Sequence, residues 1–132
     1  MIRRTVVVIL GLQMAVAPLA AANYICVADQ AVGFFFNKYT KRWQTDTFNV
    51  KDEKYTLTTE DGKRVWKKLG DPLGMRQCQE NNTYVFCDML FLQVAINKEN
   101  LRYQITYKAG YVDGLDSTED TPFIQIGRCS SM

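Results

Sequence analysis

The chain has 132 residues, with 16 lysines and arginines against 14 acids, four cysteines and no histidine. That length is one domain's worth. The missing histidine excludes Ser-His-Asp and Cys-His nucleophilic machinery and His-ligated zinc or haem.

The first residues are Met1-Ile2-Arg3-Arg4, followed by an apolar run from Val6 to about Leu19 and by Ala20-Ala21-Ala22. A charged start, an apolar middle and small residues at the cut form an export signal. We therefore expect a signal peptide over 1–22 and a single disulfide-bonded β domain over 23–132. Gln13 and Pro18 interrupt the run, which barely reaches the roughly 17–20 residues of a spanning helix, so no membrane span is expected in the mature chain. The first 22 residues hold two of the 16 basic residues and no acid, leaving 14 of each sign. A neutral domain with interspersed charges has no footprint for nucleic acid.

After residue 22 the apolar period is two rather than 3.6, the mark of half-buried strands. Val32–Asn37 and Arg42–Val50 flank Lys38-Tyr39-Thr40-Lys41. Lys54–Thr59 and Arg64–Leu69 flank Glu60-Asp61-Gly62-Lys63, where Asp-Gly is a hairpin turn signal. Gln77–Gln79 and Tyr84–Asp88 close around Asn81-Asn82. Leu90, Leu92, Val94 and Ile96 share one face, and Leu101, Tyr103, Ile105, Tyr107 and Ala109 alternate with polar residues beyond the turn Asn97-Lys98-Glu99-Asn100. Pro122–Arg128 is the last strand, with proline at its start, where a missing N–H costs least. The expected fold is all-β: a small antiparallel meander of about eight or nine strands, closed into a barrel or folded into a two-layer sandwich.

Asn37-Lys38-x-x-x-Arg42-Trp43-Gln44 recurs as Asn97-Lys98-x-x-x-Arg102-Tyr103-Gln104. Turn chemistry accounts for those residue types without a pair of equivalent ligand contacts. With Tyr24-Ile25-Cys26, Gly33-Phe34-x-Phe36-Asn37-Lys38, Thr40-x-Arg42-Trp43, Phe86-Cys87, Gly110-Tyr111 and Thr121-Pro122-Phe123-Ile124-x-Ile126-Gly127-x-Cys129-Ser130, the chain resembles uncharacterised small exported proteins of alphaproteobacteria. The resemblance implies an exported, two-disulfide, all-β domain and brings no catalytic or binding residue with it.

Four cysteines allow three pairings. Cys78 and Cys87 flank a hairpin loop, which leaves Cys26 to meet Cys129, and we expect those two bridges. No spacing is Cys-x-x-Cys, so no metal is expected. Asp113, Asp116, Glu119 and Asp120 crowd one loop; an oxygen-rich calcium site is open there, although the spacing is not an EF-hand loop and acidic loops are common. Phe34, Phe35 and Phe36 are consecutive, so a strand must turn at least one away from the others. Phe35, Trp43 and Trp66 are the aromatics we nominate for a recognition patch.

With no motif for a cofactor, we expect none. The expected function is a non-enzymatic binding or inhibitor-like module of the periplasm or the secreted fraction, for a protein or envelope component. The alternative is a small carboxylate-dependent hydrolase acting on glycan or peptidoglycan, for which Glu80 and Asp88 are the acids at hand. N-terminal sequencing of protein exported by a bacterial host should begin at Asn23 or within a residue or two; an intact Met1 on a membrane-embedded product would contradict the signal.

Overall fold

The computed structural model describes residue 11 and residues 22–132. The expected signal over 1–22 therefore lies almost entirely outside the described residues. Nine strands account for the domain: β1 (Tyr24–Asn37), β2 (Arg42–Phe48), β3 (Lys54–Glu60), β4 (Lys63–Lys68), β5 (Cys78–Glu80), β6 (Tyr84–Met89), β7 (Leu92–Asn97), β8 (Arg102–Tyr107) and β9 (Phe123–Ser131). No helix occurs among the described residues, so none is long and apolar enough to cross a membrane.

All pairings are antiparallel, in the order β4-β3-β1-β9-β8-β7-β6-β5, with β2 on β1 as well. The sheet curls into a nearly closed barrel, which decides between barrel and sandwich. It is not a plain meander, because β1 lies between β3 and β9. Over Tyr24–Val27 it pairs with β3, and over Ala31–Asn37 with β2. A bulge at Asp29 lets one strand do both. One extra residue exchanges the two faces: Tyr24, Cys26 and Ala28 point inward before it, Ala31 and Gly33 after it.

The strand edges of β4 and β5 face each other without a continuous ladder. One bridge, Trp66 with Met75, spans the gap through two backbone hydrogen bonds of 2.9 and 2.7 Å. Below it the buried Arg64 meets Glu80 at 3.2 Å, and Lys67 and Arg76 both bind Glu60 at 2.6 Å.

Both expected disulfides form: Cys26–Cys129 joins β1 to β9 and Cys78–Cys87 joins β5 to β6, each between direct cross-strand partners. Two intramolecular bridges fit an oxidising compartment. The first closes a separation of 103 residues and the second one of nine, contributing about 4–5 and about 3 kcal/mol on the chain-entropy account.

The core is the barrel interior: Leu57, Val85, Val94, Ile96 and Ile105, with Tyr55, Trp66 and Tyr103 packed ring against ring. Gly127, opposite Tyr103, makes room for that ring, since a side chain there would collide with it and with the Val27 carbonyl.

The strand assigned from Leu90 is a correction. Leu90 and Phe91 form the two-residue turn between β6 and β7, and Leu90 is 87 % exposed. An apolar residue at a hairpin tip mimics the strand period although the backbone has already reversed. The repeated Asn-Lys turns share one geometry. Asn37 Oδ1 accepts from the Tyr39 and Thr40 N–H groups, and Asn97 Oδ1 from those of Glu99 and Asn100. Each turn exits through a residue of positive φ, Lys41 or Leu101. The following aromatics then diverge: Trp43 opposes Phe36 on the outside, whereas Tyr103 opposes Ile96 inside.

Ile105 is buried and Gln104 exposed on the same strand. Chemical denaturation should show a loss of about 2–5 kcal/mol for Ile105→Ala and a change within about 0.5 kcal/mol for Gln104→Ala.

Candidate functional site

One end of the barrel is open. There inward-facing residues of β1 to β4 and β6 to β9 and the segments 49–53 and 69–77 surround a cup of about 580 Å³. Its wall is mostly apolar, built by Phe48, Trp66, Met75, Leu92, Ile105 and Phe123. The size suits a small organic ligand, and barrel mouths are a recurrent place for one.

A chain of polar groups runs from the floor of this cup to its rim. Gln125 is only 2 % exposed, and its amide atoms lie 3.2 Å from Tyr55 Oη and 3.4 Å from Tyr103 Oη. Tyr55 donates its single proton to Glu53 Oε2 at 2.7 Å, and Lys68 Nζ lies 2.8 Å from Glu53 Oε1. Because the Tyr55 proton is committed, the amide orientation that satisfies every group turns Nε2 toward Tyr55 Oη and Oε1 toward the Tyr103 hydroxyl. Tyr103 then donates to Gln125, Gln125 to Tyr55 and Tyr55 to Glu53, which also accepts from Lys68 at the charged end of the line. A fully satisfied buried network holds its members in place.

Burial pushes the Glu53 carboxyl up, but the Lys68 and Tyr55 hydrogen bonds and the Lys68 charge outweigh it and hold it below the usual carboxylate range. Burial first, and then the hydrogen bond to Glu53, raise the Tyr55 phenol. Burial pushes Tyr103 up to about 12. At the seam, hydrogen bonds from Lys67 and then Arg76 hold Glu60 low.

The three nominated aromatics do not form one patch. Trp66 is 3 % exposed, stacked on Tyr55 at 4.9 Å in the core; it opposes Leu57 across β3, which places it inside. Phe35 opposes Gln44, on the inward side of the β1–β2 hairpin, and is half-buried. Trp43 alone is on the outer face, where it covers Phe36 at 5.7 Å and meets Tyr111 edge-on at 5.5 Å. Its indole N–H donates to Asp116 at 2.9 Å. The exposed aromatic of the Phe34–Phe36 run is Phe34, 50 % exposed, beside Val32 and Ile124 in an apolar groove roofed at one side by Tyr111 and Val112.

The acidic loop is put to several separate uses. Asp116 holds Trp43, Asp120 accepts from the Tyr107 hydroxyl at 2.8 Å and Asp113 accepts from the Leu115 N–H. Glu80 and Asp88 lie on opposite faces of the sheet, since Glu80 opposes the inward Val85 and Asp88 the outward Gln93. They do not flank one cleft. Comparison with protein-family models, with curated proteins and with solved structures finds no match.

The pKa shifts make the stability of the fold depend on pH. Glu53 and Glu60 titrate lower in the folded chain than unfolded, so their stabilisation is present above the ordinary carboxylate value of about 4.3 and is lost as pH falls through the lowered values. Tyr103 titrates higher, so its contribution is present below about 10 and is lost as pH rises towards about 12. Urea midpoints should fall at both extremes, and Glu53→Gln should flatten the acid limb. Absorbance at 295 nm should show Tyr55 and Tyr103 ionising only with unfolding.

Proposed function

We propose that this is an exported, non-enzymatic binding module of the periplasm or the secreted fraction, which holds the apolar part of a small molecule or envelope component in the barrel mouth. The cup itself carries the reading: about 580 Å³ of space with an apolar wall and one pre-organised line of hydrogen-bonding groups leading into it. Apolar surface supplies affinity in such sites, and a few fixed polar groups orient the ligand.

The polar groups present support binding rather than hydrolysis. A glycosidase needs one carboxyl held protonated near neutral pH, with its pKa raised. Glu53 is the carboxylate in the cup bound to the polar line, and its pKa is pushed down by Lys68 and Tyr55. It serves as an acceptor in the ground state.

The neutral apolar fluorophore N-phenyl-1-naphthylamine tests the reading. Titration should show saturable binding that quenches the tryptophan emission of Trp66. Ala31→Leu, which fills the cup beside Gln125, should weaken it by about tenfold or more, while Phe34→Ala on the outer face changes it less than about twofold. Equal binding by the filled variant, or none by the natural protein, would remove the cup as the site.

A further inference from the structure

The outer face of β6 to β9 differs from the apolar groove near Trp43. Tyr84 and Phe86 stand out from β6, 39 % and 42 % exposed, with their rings stacked at 5.4 Å and 30°. Across the ladders Phe86 opposes Ala95, and Ala95 opposes Gln104. A methyl group where neighbouring strands carry long side chains leaves a trough. On the Phe86 side it is a hollow of about 490 Å³ edged by Gln79, Gln93 and Gln104, with Asp88 beside Gln93. Past Ala95 and Gln104, which line both, it opens into a second hollow of about 490 Å³ with Asn97, Arg102 and Arg128.

Arg102 and Arg128 are direct cross-strand partners. Like charges so placed disfavour the pairing. The carboxylate lining their hollow is Asp29, 3.5 Å from Arg128. One acid against two guanidinium groups leaves this hollow electropositive in a domain whose total charge is near zero, while the single carboxylate of the Phe86 hollow, Asp88, lies at its far side from Arg102 and Arg128.

The chemistry that matches all three features is a sugar acid. A pyranose ring has an apolar face of C–H groups, for which an exposed aromatic ring is a platform. Its hydroxyls both donate and accept, as primary amides do. A carboxylate on the ring fits the guanidinium fork. An apolar protein partner would instead have to strip water from the amides without replacing those bonds. From β6 to β9 the strands span about 14 Å, room for a short run of sugar units.

We propose that the outer face of β6–β9 binds an acidic polysaccharide, with Tyr84 and Phe86 under its sugar rings and Arg102 and Arg128 on its carboxylates. This site is separate from the barrel mouth and stands or falls independently of it.

Affinity electrophoresis of the whole domain in gels containing alginate, with neutral dextran as comparison, tests the proposal. Alginate should retard the protein, and dextran should not. Phe86→Ala, and separately the double variant Arg102→Gln/Arg128→Gln, should each weaken the interaction by about tenfold or more. The double variant Lys54→Gln/Lys63→Gln, with the same charge change on β3 and β4, should stay within about twofold. Ala31→Leu should leave retardation unchanged. No retardation of the natural protein, or equal loss in the β3–β4 control, would overturn the site. Equal retardation by dextran would overturn the acidic specificity. Near-ultraviolet circular dichroism on each variant separates loss of the site from loss of the fold.

Discussion

The ladder between β1 and β9 is the joint through which the two halves of the barrel are assembled. The hairpins β1–β2 and β3–β4 lie on one side of it and the run β5 to β9 on the other. The ladder spans Tyr24 to Gly33 against Ser131 to Phe123, and Cys26–Cys129 covalently fixes one of its pairs. This is the costliest pairing in loop entropy, because its partners are about a hundred residues apart. A bridge at that place restricts the unfolded chain most where the folded chain needs it. The Asp29 bulge then re-aims the strand, so that the same β1 closes the lower barrel with β3 and props up the mouth with Ala31.

From that joint follows a sorting of aromatic side chains into three environments. Tyr55, Trp66 and Tyr103 fill the interior and hold the floor of the cup. Phe36, Trp43 and Tyr111 form an external cluster that fastens the 108–122 segment onto the β1–β2 hairpin through Asp116. Tyr84 and Phe86 remain uncovered on a face whose other long side chains are mostly amides, arginines and acids. An apolar cup with one satisfied polar line and a polar trough beside two exposed rings are different surfaces, and each suits its own kind of ligand.

Local signals in the chain carried most of the fold. Asp61-Gly62, Asn37 and Asn97 punctuate real turns, because the Asx hydrogen bonds and positive φ values that those residues favour depend on their neighbours alone. The cysteine pairs were legible for the same reason: one brackets a hairpin, and exclusion leaves the other. What depended on distant partners was less legible. Nothing near Tyr24–Ala31 announces that β1 continues through a bulge to take three neighbours. Trp66 looked like a surface candidate among Lys63, Arg64, Lys67 and Lys68, yet Arg64, two residues before it on β4, shares its inward face and is buried with it. The alternation Tyr84-Val85-Phe86-Cys87 did contain the outward aromatics, since a buried disulfide cysteine fixes which face is inside.

The joint between β4 and β5 has a different character from the rest of the wall. Elsewhere neighbouring strands share runs of backbone hydrogen bonds, but here a single Trp66–Met75 bridge is followed by side-chain ion pairs. Charge pairs answer to ionic strength, whereas backbone ladders barely do. This line is therefore the part of the wall most exposed to screening by salt. The three-residue β5 is held instead by β6, through its ladder pairs and the Cys78–Cys87 bond.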